Sequence, residues 1–152
     1  MEKDKDCIFC KIAKGEIPAT KTYEDDNFIA FLDVNQFVKG KTLIIPKKHF
    51  ETVLDMPSSL GNEMLEAIKK VSFNLIKEGK GEGFNLLINN YEVAGQVVLH
   101  AHIHILPRKK GDGLKGLYLE DCEKNKKEEK NRKETKVSLT SQPSLNSSKI
   151  KK

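Results

Sequence analysis

Apolar positions along the first 110 residues change their period several times, and each change predicts an element. "IFCKIAKGEI" (8–17) opens with apolar spacing suited to a short helix, and Pro18 stops it. "KTYEDDNFIAFLDV" (21–34) reads as two strands around an "EDDN" turn. "KTLIIPKKHF" (41–50) is another strand, with Pro46 ending its ladder. Leu60, Met64, Ile68, Val71 and Leu75 recur at steps of three and four, which predicts a one-sided helix over about 58–78. Ser58 or Asp55 is placed to cap it, and Gly79 to close it. "GKGEG" (79–83) follows that helix instead of opening one and lacks the GxxxxGK[ST] phosphate-loop pattern, so it reads as a linker. Strands follow over 84–90 and about 96–106. The expected fold is α+β: an antiparallel sheet of about five strands, one long helix and a short N-terminal helix.

Composition divides the 152-residue chain near residue 120. All seven Phe and all three Tyr lie at or before Tyr118. Residues 121–152 hold ten Lys/Arg and five Asp/Glu, which accounts for the whole net charge of +5. Such a segment buries too little apolar surface to offset its ordering entropy, so a basic disordered tail is expected after a domain at 1–120. The domain itself is charge-balanced, which argues against a groove for a nucleic-acid backbone. No apolar run approaches the ~20 residues of a membrane span, and "MEKDKDCIFCKIAKGEIPA" lacks a signal-peptide apolar region. A cytoplasmic, reducing location is expected. Three cysteines then argue against a disulfide framework and leave metal binding open.

Three of the four histidines occupy alternate positions in "GQVVLHAHIHILPR" (95–108). On a strand, His100, His102 and His104 share one face while Ala101, Ile103 and Ile105 face the core. Two chemistries use such a row: metal coordination by neutral imidazole, and nucleophilic attack on phosphorus by a ring whose other nitrogen fixes its tautomer.

"HAHIHIL" resembles the HφHφHφφ motif (φ apolar) of the histidine triad superfamily. "CIFCKIAKGEIPA", "FLDV", "KTLIIPKKH", "FNLLINN" and "GQVVLHAHIHILPR" fall in the order and spacing of its nucleoside phosphoramidase branch, over about residues 7–117. The resemblance implies hydrolysis of adenosine or guanosine 5′-phosphoramidates through a nucleotidyl-histidine. His102 would attack, His104 would bond the phosphate oxygens, and the His100 carbonyl would orient the His102 ring. Amides near Gly95, Gln96 and Val97 would hold the phosphate, with Asn89 beside it. Asp33 would bind the ribose hydroxyls. Ile8, Phe9, Ile12, Ile17, Phe31 and Val34 would sandwich the base, although core packing explains each of them equally well. No organic cofactor is implied. A purine nucleotide is the expected small-molecule partner, and a homodimer is expected, with no membrane or specific nucleic-acid partner. Dinucleoside polyphosphate hydrolysis, or nucleotide binding with little turnover, are the alternatives.

Two residues depart from the family pattern. Lys41 stands where relatives carry histidine in "GHTLVIPK", and Val97 where many carry Ser or Thr. Lys41 can help neutralise phosphate but has no neutral acceptor nitrogen to copy an orienting imidazole. The hydroxyl lost at Val97 is a donor worth about 2–4 kcal/mol in a transition state, so turnover slower than in relatives with both groups is expected, not a dead site. Cys7 and Cys10 have CxxC spacing, which fits a redox pair, ordinary thiols or half of a zinc site. With His49 and His100 they make a Cys2His2 set, as in relatives bearing the cysteine pair, and a structural zinc is expected there. Cys122 reads as an incidental thiol.

Overall fold

The "EDDN" turn folds as expected because Asp25 organises it. Its Oδ1 accepts from the amides of Asn27 (2.9 Å) and Phe28 (2.6 Å), closing a hairpin between β1 (Lys21–Glu24) and β2 (Phe28–Leu32). The computed structural model describes residues 3–114. The expected basic tail at 121–152, Cys122 included, lies outside them. Three further strands, β3 (Thr42–Pro46), β4 (Gly83–Leu87) and β5 (Ile103–Arg108), complete an antiparallel sheet of order β1-β2-β3-β5-β4.

β2 and β3 are apolar at nearly every position because both of their faces are covered. Phe28, Ala30, Ile44, Ile103 and Ile105 pack with Ala67, Ile68, Val71 and Leu75 of the long helix α3 (Gly61–Lys77). On the other face Ile29, Phe31, Leu43 and Ile45 pack with Phe9 and Ile12 of the short helix α2 (Ile8–Ala13). A single turn, α1 (Lys3–Asp6), precedes α2.

The predicted stripe forms the inner face of α3, but its cap does not form as expected. A 3-10 turn at Ser58–Leu60 leads into α3, whose N-cap is Leu60 with no side-chain bond. Asp55 instead closes a reciprocal cap with Thr52 around another 3-10 turn, Val53–Asp55. The C-terminal end matches expectation. Gly79 adopts φ 69°, and the amides of Gly79 and Lys80 return to the carbonyls of Ile76 (2.9 Å) and Leu75 (2.9 Å).

The last strand also differs from its prediction: it begins at Ile103, not near 96, and runs to Arg108. Its partner explains the late start. Ile44 pairs with Ile103, so Pro46 would come opposite Ala101. Pro46 has no N–H to give, and its carbonyl accepts from the His100 ring at 2.8 Å. Residues 98–100 form a bend closed by the His100 amide on the Val98 carbonyl (2.8 Å). Two of the three histidines therefore precede the strand.

Candidate active site and adjoining metal-ligand cluster

Alternation nevertheless persists into the extended segment before β5. Ala101, Ile103 and Ile105 are buried toward the α3 side, and His102 and His104 point the other way. The His102 and His104 rings lie 4.8 Å apart, centroid to centroid. On the sheet, His104 is flanked by Leu43 and Leu87. The bend takes His100 out of the row, and its ring is completely buried (0% exposed).

Hydrogen bonds fix the tautomer of His102. Its Nδ1 stands 2.7 Å from the His100 carbonyl oxygen, which only accepts, so Nδ1 carries the proton and Nε2 keeps its lone pair. Burial pushes the pKa of His102 below its ordinary value. Burial first, then the charges of His102 and Lys41, bring His104 down to about 4. Both rings are neutral near pH 7. His104 Nδ1 is buried without a hydrogen-bond partner among the described residues.

Asp33 and Lys41 stand one residue beyond β2 and β3, on the His104 side of the pleat. Lys41 Nζ lies 2.6 Å from Asp33 Oδ2. Burial works to raise the Asp33 pKa, but the Lys41 ammonium and the Asn35 amide together hold it below the usual carboxylate value.

The proposed phosphate loop is braced by Gln96. Its buried side chain donates to the carbonyls of Glu51 (2.6 Å) and Val98 (3.1 Å) and accepts from the Tyr91 amide (2.7 Å). The Gly95 and Gln96 amides donate within the loop, to the carbonyls of Glu92 and Tyr91. Among the described backbone bonds the Val97 amide is the one of the three not used this way. The Val97 side chain is 91% exposed. Asn89 donates to the Gly95 carbonyl (3.3 Å).

The expected base-sandwich residues separate into groups. Ile12, Ile17 and Phe31 share one apolar cluster with Phe9. Phe9 also packs edge-on against His102 (5.3 Å) and His100 (5.9 Å), making it the backing of the histidine wall. Ile8 points outward into a hollow it shares with Val97, Val98 and Leu99. Val34 is fully exposed on the turn after β2.

Cys7, Cys10, His49 and His100 converge, with one ligand atom from each lying within 4.8 Å of all the others. His100 Nδ1 is 3.4 Å from Cys7 Sγ and 3.5 Å from Cys10 Sγ, and His49 Nδ1 is 3.3 Å from Cys10 Sγ. Zinc bonds of about 2.0–2.3 Å at tetrahedral angles place N and S about 3.5 Å apart, so these three separations fit. The His100 tautomer fits as well. Nε2–H donates to the Pro46 carbonyl, so Nδ1 presents its lone pair to the cysteines.

An open antiparallel sheet, closed by one long helix and carrying neutral paired imidazoles, defines the class of protein. Residues 14–111 match the family model described as HIT domain, and the chain belongs to that family. It is 46% identical to adenylylsulfatase HINT3 of Arabidopsis thaliana over 72% of this chain and 55% of that protein. It is 40% identical to adenosine 5′-monophosphoramidase HNT1 of Candida albicans, over 72% and 74% of the two chains. A HIT family structure from Bacillus subtilis superposes with TM-score 0.69 at 39% identity, covering 91% of this chain and 99% of that one. A zinc-bound histidine triad protein from Mycobacterium smegmatis superposes with TM-score 0.69 at 35% identity, covering 74% and 81%. Among the described residues no helix is long and apolar enough to cross a membrane.

Proposed function

We propose that this protein hydrolyses purine nucleoside 5′-phosphoramidates through a covalent nucleotidyl-His102 intermediate. One observation carries the reading: the Nδ1–H of His102 is held on the His100 carbonyl, which leaves a neutral Nε2 as nucleophile. The activities named for HNT1 and HINT3 support a hydrolase of adenylyl compounds.

In the first step the Nε2 lone pair attacks the α-phosphorus. The P–N bond to the leaving amine breaks with its electron pair going to nitrogen, which takes up a proton from solvent. In the second step water attacks phosphorus and gives up a proton to solvent, the P–Nε2 bond returns its electrons to the ring, and the nucleoside monophosphate leaves. His104 and the Val97 amide stabilise the phosphoryl oxygens, and Asp33 holds the ribose. Cleavage of an adenylyl–sulfate bond would use the same nucleophile with a different leaving group, a second reading favoured by the name of HINT3. The test is turnover of both substrate types by wild type and H102A. The reading expects phosphoramidate turnover that H102A loses, by about 10⁴-fold or more. Undiminished turnover by a folded H102A would refute it.

Cys7, Cys10, His49 and His100 would hold zinc. When bound, the metal supplies a structural crosslink between the N-terminal segment and the wall that carries His102.

The working unit is a homodimer. Phe73 (65% exposed), Leu65 and Ile76 of α3 form an exposed apolar face beside Phe84 and Leu86 of edge strand β4. Light scattering should give a dimer mass for wild type and a monomer mass for F73D; a monomeric wild type would reject this.

A further inference from the structure

We propose that Lys41 is a sugar-recognition residue, which joins Asp33 to read a ribose hydroxyl as both donor and acceptor. The inference rests on Asp33 being the ribose carboxylate and goes beyond that assignment. A carboxylate only accepts hydrogen bonds and an ammonium only donates them. Asp33 alone therefore senses only a hydroxyl's hydrogen, while an adjacent ammonium can also reach its oxygen.

The geometry leaves capacity on both partners. Asp33 Oδ1 accepts from the Asn35 amide (2.9 Å), and Oδ2 from Lys41 Nζ (2.6 Å). Each oxygen has a second lone pair. Lys41 Nζ has three N–H groups. One meets Asp33, and the Phe37 ring covers another side, 4.8 Å away. The two side chains keep 10% and 11% of their surface exposed, enough for contact along an edge but too little for solvation to replace a missing partner.

The pair is also preorganised. Gln36 clamps the loop that carries both residues. Its Nε2 donates to the carbonyls of Asp33 (2.7 Å) and Lys41 (2.8 Å), and its Oε1 accepts from the Gly40 amide (2.8 Å). The Asp33 amide donates to the Lys41 carbonyl (3.0 Å). Buried ion pairs are weak contributors to stability because both charges lose their hydration. A braced pair set close enough to His104 to act on its charge is better explained by specificity: a ligand that lacks the hydroxyl leaves buried charged groups unmatched.

The test is calorimetric binding of AMP, 2′-deoxy-AMP and 3′-deoxy-AMP to wild type, K41M and K41Q, with melting curves to confirm folding. These are product-type ligands, so the measurement stands even if phosphoramidate turnover is absent. Wild type is expected to favour AMP over at least one deoxy analogue by about 10- to 100-fold, the range of one hydrogen bond to a charged group. K41M should lose most of that preference, its affinity for AMP falling more than its affinity for the disfavoured analogue. K41Q, with a donor but no charge, should fall between. A wild type that ignores both hydroxyls would overturn the proposal. So would a K41M that weakens all three ligands equally, the mark of a merely structural lysine. If K41M does not fold, a folded K41Q with the wild-type preference overturns it.

Discussion

The two faces of the central strands share a backbone yet obey different rules. On the α3 side, Phe28, Ala30, Ile44, Ile103 and Ile105 form one apolar cluster with Ala67, Ile68, Val71 and Leu75. On the other side, the same strands and their extensions carry Asp33, Lys41, His102 and His104 among Phe31, Leu43 and Ile45. The first face is closed by a single amphipathic helix. The second is packed in part by α2, and the loops at its edges are braced by Gln36 within residues 33–41 and by Gln96 to the Glu51 carbonyl. Period-two alternation thus places Asp33, Lys41, His102 and His104 together on the side that also carries the second apolar cluster.

The largest effect that separates the faces is expected from I105A. Ile105 is completely buried against α3. Its truncation should cost about 2–5 kcal/mol in denaturant unfolding while turnover per folded molecule changes little. A large loss of turnover at preserved stability would dissolve the distinction. A smaller effect is expected from C10S, which removes one candidate metal ligand. Zinc measured after purification without chelator should fall from about one per chain, and the melting temperature should drop by about 5 °C or more. An unchanged zinc content and melting point would remove the metal from the account.

The smallest effect is in pH dependence. As the proposed nucleophile His102 must be neutral, and burial holds its pKa below the ordinary 6.5. The acid limb of kcat should therefore have its midpoint below 6.5, with the rate lost as pH falls through the folded value. For His104, lowered to about 4, its contribution to folding is complete above 6.5 and declines as pH drops toward 4. A kcat midpoint above 6.5 would show that the ring is less buried in solution.

The apolar face was the more legible of the two in the sequence. The α3 stripe, the "EDDN" hairpin and the alternation from Ala101 to Ile105 are local patterns, and all three appear in the fold. The chemical face was legible by residue type and less so by geometry. The histidine row has the pattern of one long strand, but Pro46 on the neighbouring strand cuts the ladder and frees His100 to turn toward the cysteines. No local pattern on residues 95–108 announces that. The Asp33–Lys41 pair needed the ends of β2 and β3 to be known as neighbours. The Gln96 brace needed residue 51 to be placed beside residue 96. Asp55 carries a cap signal in the sequence but caps the 3-10 turn Val53–Asp55 and not α3, because a 3-10 turn and a helix start carry the same local signal.

The central claim is that His102 Nε2 bonds to phosphorus. Its most direct test is rapid quenching of the substrate-saturated protein, followed by intact-mass measurement and peptide mapping. The account predicts a mass increase of one nucleotidyl group, mapped to His102 and absent from H102A. Turnover without any such adduct, or an adduct on another residue, would contradict it.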